Sequence, residues 1–208
     1  MAEVQAHGNK FEDFIVFQRT GKTKKEYDKF KAKNGFGTGY TSKSDIAKGA
    51  LSEVDTSIKA TNSNTICCGD LIHRIEQKDD YTMVVGAYNQ VEDYKCFHTQ
   101  YEFFIQAEDY EKLWGDMTYD SVLPFVNYVK SIPEGPEGQK AAKPQTINYK
   151  ELVSDEKALF VINPKIDSKK QRRVQCSINL KNLLSSGIKY TETSIDVKIY
   201  SKKREYNK

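Results

Sequence analysis

The sequence predicts an α/β fold: a single domain with a central mixed β-sheet flanked by helices. Three observations carry that reading. Phe11, Phe14 and Ile15 repeat at helical spacing near the N-terminus. Tyr81–Tyr88 and Lys95–Ile105 are compact runs rich in aromatic and β-branched residues, as suits strands of a central sheet. Residues 108–114 and 121–131 read as helices beside that sheet, and 208 residues suffice for one domain with a core beneath three layers.

The elements follow in chain order. Gly8-Asn9 can start the first helix, with Glu12 and Asp13 near its positive end. Residues 22–33 hold six lysines against Glu26 and Asp28, interleaved with Tyr27 and Phe30, and predict a basic helix or arm. Gly21-Lys22-Thr23 is not a phosphate-binding loop, because Val16 stands where the first glycine is needed. Gly35, Gly37 and Gly39 lead into residues 41–61, which read as a β-hairpin turning at Lys48-Gly49. On its second strand Val54, Thr56 and Ile58 alternate with Asp55, Ser57 and Lys59, so one face presents a carboxylate, a hydroxyl and an amine.

Residues 66–75 are expected as a short strand or a helix around Asp70. Pro133–Gly138 is expected to end a helix and open a polar loop to about Thr146. Leu159–Ile162 reads as a buried strand. It leads into 163–178, where Lys165, Lys169, Lys170, Arg172 and Arg173 face one acid, Asp167, with Gln171 and Gln175 among them. Strand, basic turn and strand would form a ribbon whose arginines and glutamines suit base edges and whose lysines suit phosphates. Thr193–Tyr200 alternates as a strand before the basic run Lys202–Arg204.

Two acids and a lysine on one hairpin suit metal-dependent phosphodiester hydrolysis. Mg²⁺ takes hard oxygen ligands and keeps waters, and a nearby lysine can orient a water or offset charge developing on phosphorus. The pattern resembles the PD-(D/E)XK nuclease superfamily. Ser44-Asp45 stands at the Pro-Asp position and Ser57-Ile58-Lys59 at the Asp/Glu-X-Lys position, with a serine in place of the second acid. Gly8–Glu12 is similar to the opening helix of many type II restriction endonucleases, in which a glutamate faces the site.

The resemblance implies a restriction-endonuclease-like fold over 1–208 with a recognition segment at 163–178. It implies catalytic Asp45, Asp55 and Lys59 assisted by Glu12, with Ser57 on the same face. Mg²⁺ would be held by Asp45 and by Asp55 or Glu12 in place of the missing acid. It further implies double-stranded DNA as substrate and, for a palindromic target, a homodimer. The alternative is a non-catalytic nucleic-acid-binding protein that uses the same basic segments.

Composition narrows the rest. A net charge of +3 is too small to mark a nucleic-acid binder by itself, so local clusters must carry that argument. Cys67, Cys68, Cys96 and Cys176 follow neither a secreted disulfide framework nor zinc-ligand spacing, even with His73 and His98 added, and read as buried thiols in a reducing compartment. His7, His73 and His98 are scattered with no nucleophile at a recognisable motif. No long apolar run or signal-like N-terminus is present, so the expectation is a cytoplasmic protein without a membrane partner.

Overall fold

The computed structural model describes residues 3–37, 44–167 and 171–201. The α/β class and the mixed sheet flanked by helices are present, and among the described residues seven strands fall into two sheets. The chain divides into two compact units interleaved in sequence. One comprises 1–64, 80–106 and 188–208, the other 65–79 and 107–187.

The first unit is built on a four-stranded sheet. Its strands are β1 (Asp55–Thr61), β3 (Tyr81–Val91), β4 (Tyr94–Ile105) and β7 (Tyr190–Tyr200), in the order β1-β3-β4-β7. The β1–β3 pair is parallel and the other two are antiparallel. Helix α1 (Glu3–Thr20) begins several residues before the Gly8-Asn9 start expected from sequence. It buries Phe11, Ile15 and Val16 against Ile58, Val84 and Phe97. The Phe11 and Phe97 rings stack with centroids 4.4 Å apart. The basic stretch forms helix α2 (Lys24–Lys33), started by a capping box in which Thr23 and Glu26 exchange hydrogen bonds.

The expected hairpin at 41–61, of which 41–43 lie outside the described residues, is only partly one. Ile46 and Thr56 form a single antiparallel bridge, while β1 takes its full register from β3 in parallel. The second strand of the expected hairpin thus belongs to the sheet.

The second unit holds an antiparallel sheet in the order β2-β6-β5, from β2 (Thr65–Asp70), β5 (Phe160–Asp167) and β6 (Gln171–Asn179). Residues 66–75 are strand and helix in succession, because Asp70 ends β2 and caps α3 (Leu71–Ile75), its carboxylate accepting from His73 N at 3.2 Å. Helices α4 (Tyr110–Trp114), α5 (Tyr119–Ser131) and α6 (Pro136–Val153) follow, and α7 (Leu180–Ser185) comes after β6.

Helix α6 corrects the expectation of a polar loop to Thr146. Pro136 occupies the first turn, where its fixed φ suits a helix and its missing N–H costs nothing, and Gln139 and Thr146 are buried on one face. The four cysteines are free thiols; Cys68 and Cys176 are buried, Cys96 is half-buried and Cys67 is exposed. Among the described residues no helix is long and apolar enough to cross a membrane.

Helix α1 can approach the sheet closely only because Gly86 has no side chain. A Cβ there would enter the Phe11 ring, which is fully buried and held by Phe97. Gly86→Ala should therefore cost about 1–3 kcal/mol of stability, as overpacking does. An unchanged urea midpoint would refute this packing.

Candidate functional site

The outer edge of β1 organises the first unit's polar cluster. Asp45 N and Ile46 N both donate to Thr56 O, at 2.9 and 3.0 Å, and Thr56 N donates to Ile46 O at 2.8 Å. The next outward donor on β1, Ile58 N, bonds at 2.6 Å to Asp45 Oδ2. A side-chain carboxylate thus continues the ladder where backbone pairing stops. The same oxygen lies 3.8 Å from Lys59 Nζ.

Glu12 reaches this point from α1. Its carboxyl is close enough to Asp45 and Lys59 to feel the charge of both. Burial pushes its pKa up to about 7, and the charge of Asp45 adds to the rise, while Lys24 and Lys59 pull it down. Glu12 and Asp45 are thus close enough to repel, and Glu12 is shared between its two protonation states at neutral pH.

Helix α2 supplies the counter-charges. Lys24 Nζ lies 3.3 Å from Glu12 Oε1 and 2.6 Å from Asp28 Oδ1. One turn on, Tyr27 donates to Ala50 O at 2.9 Å and accepts from Ala47 N at 3.1 Å, which fixes the turn after Asp45. Lys31 is only 1% exposed. Burial and then Lys24 lower its pKa, and Asp28, Asp45 and Glu12 oppose that shift.

The structure thus brings together Glu12, Asp45 and Lys59. Asp55 is directed elsewhere: its Oδ1 accepts from Ser44 Oγ at 2.7 Å and from Lys48 N at 3.0 Å, closing the loop. Ser57 lies on β1 opposite Met83 and is buried, 3% exposed. Among the described residues no group of three or more His, Cys, Asp or Glu is arranged to hold a metal ion. Glu12, Asp45 and Asp55 therefore do not form one three-acid ligand set.

Lys24 and Lys31 also belong to the cluster, although no motif in the sequence marks them as site residues. Their signal was present, since 24, 27/28 and 31 share one helical face and that face carries the buried Tyr27.

In the second unit, β5 and β6 pair antiparallel as the two expected strands, and the basic turn expected between them, 168–170, lies outside the described residues. The register pairs Lys165 with Arg173, Asn163 with Gln175 and Asp167 with Gln171. Lys165, Gln171, Arg173 and Gln175 therefore share one sheet face with Asn163. The opposite face buries Phe160, Ile162, Val174, Cys176 and Ile178. Arg172 stands on that opposite side, donating to Ile132 O at 3.1 Å and pairing with Glu134 at 2.7 Å. Arg173 Nε is buried with no hydrogen-bond partner among the described residues. Lys169 and Lys170 lie outside the described residues.

No family model matches this chain, and no curated protein or solved structure matches it.

The raised pKa of Glu12 has a consequence for stability. Folded Glu12 keeps its proton to about pH 7, whereas the unfolded chain releases it near 4.5. Its contribution is complete below the unfolded pKa and is lost as pH rises through the folded one. Relative to Glu12→Gln, the wild type should lose on the order of 2 kcal/mol between pH 4.5 and 8, a figure reduced for partial solvent exposure. Urea midpoints across that range test this, and parallel pH profiles for the two proteins would contradict it.

Proposed function

We propose that this chain is a divalent-metal-dependent endonuclease acting on double-stranded DNA, of the type II restriction endonuclease kind. The observation that supports it is the convergence of Glu12, Asp45 and Lys59, from a helix, a loop and a strand distant in sequence, at one sheet edge.

The donor set fits Mg²⁺ in one form only. Glu12 and Asp45 supply hard oxygens, and two carboxylates that repel each other are an arrangement a divalent cation relieves. Mg²⁺ commonly takes one or two carboxylates and leaves its other positions to water and phosphate oxygens. When bound, the ion would supply Lewis acidity and a water of lowered pKa.

The chain's own residues do the rest. The Ile58 N–H fixes the plane of the Asp45 carboxylate. Glu12, titrating near neutrality, holds or releases a proton at its carboxyl. Lys59 directs its ammonium at the same point, where it can orient a water or offset charge developing on a phosphoryl oxygen.

The β5–β6 face would make the DNA contacts. Lys165 meets a phosphate, while Gln171, Arg173 and Gln175 offer groups to base edges. Arg172, held by Glu134 and Ile132 O, supports the fold of that ribbon.

The test is cleavage of a long DNA with MgCl₂. Lys59→Gln should lower the rate at least about a hundredfold, as loss of one such donor does. Asp45→Asn, which keeps an acceptor for Ile58 N, should abolish cleavage with little change in melting temperature. DNA binding should survive both, and be weakened by Arg173→Ala more than by Arg172→Ala. Wild-type cleavage in both Asp45→Asn and Lys59→Gln would refute the site. Salt-sensitive DNA binding by a wild-type protein that never cleaves would favour the non-catalytic reading.

A further inference from the structure

Strand β7 lies at the end of its sheet and is exposed along much of its length. Among the described residues no strand pairs with its outer edge. It is eleven residues long with neither proline nor glycine. A protein that must keep an edge from pairing shortens it, breaks it with proline or covers it.

The pairing with β4 fixes which groups face outward. Ser201 N donates to Asp93 O and Phe104 N donates to Lys189 O, so odd-numbered residues at both ends of β7 turn their backbone groups toward β4. The even-numbered residues, Tyr190 through Tyr200, therefore turn theirs outward. Lys10 Nζ donates to Tyr200 O at 2.8 Å, in keeping with that direction.

A two-fold antiparallel pairing of this edge with itself must match even residues with even residues. The register centred on Ile195 does so over the whole strand. It sets Glu192 against Lys198 twice, Ser194 against Asp196 twice, and Tyr190 against Tyr200 at the ends. The two adjacent registers allowed by the hydrogen bonding are worse: one sets Glu192 against Asp196, the other Asp196 against Asp196. Like charges directly opposite one another destabilise a pair of strands. On the face toward α1, the central register places Thr191 against Ile199, Thr193 against Val197, and Ile195 against its own copy. Ile195, Val197 and Ile199 are only partly buried in the single chain.

We propose that β7 is a homodimerisation edge, occupied by β7 of a second copy of this chain in the antiparallel register centred on Ile195. The two four-stranded sheets would then run on as one sheet of eight across the two-fold axis. Lys10 would give up Tyr200 O to the Tyr190 N–H of the second copy. This inference does not depend on nuclease activity, and its test reads association alone.

The test is sedimentation equilibrium of the full chain with circular dichroism as the fold control. The wild type should be a dimer at micromolar concentration. Lys198→Glu, which sets two glutamate pairs face to face, should raise the dimer dissociation constant at least about tenfold. Glu192→Lys combined with Lys198→Glu should restore it. Ser194→Pro, removing an outward N–H, should weaken the dimer while leaving the monomer's spectrum intact. A wild-type monomer at these concentrations would overturn the proposal. So would a dimer indifferent to both Lys198→Glu and Ser194→Pro, or one not restored by the charge swap.

Discussion

The first unit depends on how the outer edge of β1 is closed. A parallel strand at the end of a sheet carries backbone donors and acceptors that must find partners, and here Asp45 and Ile46 supply them. The Ile46–Thr56 bridge satisfies one step of the ladder, and the Asp45 carboxylate satisfies the next at Ile58 N. Because a side chain does the second task, a negative charge is held at the sheet edge beside Lys59. Tyr27 braces the following turn through its hydroxyl, so α2 and the loop hold each other in place.

That arrangement concentrates charge where burial penalises it. Glu12, Lys24, Asp28 and Lys31 approach the same region from two helices; burial raises the pKa of Glu12 and lowers that of Lys31, while for Lys24 the acids Asp28 and Glu12 outweigh burial and raise it. Lys24 pairs with both Glu12 and Asp28, and Lys31 donates to Ser44 O at 3.5 Å. A purely structural cluster could achieve the same packing with apolar side chains at lower desolvation cost. That two repelling carboxylates are instead kept beside a lysine is what supports the proposed metal site.

Much of this was legible in the sequence. The first helix reads from the spacing of Phe11, Phe14 and Ile15, the strands at 81 and 95 from their aromatic and β-branched content, and the strand pair within 163–178 from its cluster of basic residues. Alternation placed Thr56 and Ile58 on the core side of β1. Tertiary context decided the rest. Whether residues 45–59 close on themselves or join a sheet depends on β3, which is distant in sequence. Asp55 and Asp45 look alike in the chain, and only the loop geometry turns one to Ser44 and Lys48 and the other to Ile58. Arg172 and Arg173 are neighbours, yet strand alternation sends them to opposite faces, a separation that follows once the register with Ile166 and Lys165 is known. The helix at 136–153 was hidden because two glycines and two prolines at its start resemble a loop.

Glu12 and Asp45 share one electrostatic environment, and the proposed function sets a divalent cation there. Carbon-detected NMR titration of the Glu12 side-chain carboxyl, with and without MgCl₂, tests it most directly. The midpoint should lie near 7 without the ion and fall clearly on its addition. A midpoint at the ordinary 4.5, or one near 7 that Mg²⁺ leaves unmoved, would contradict it.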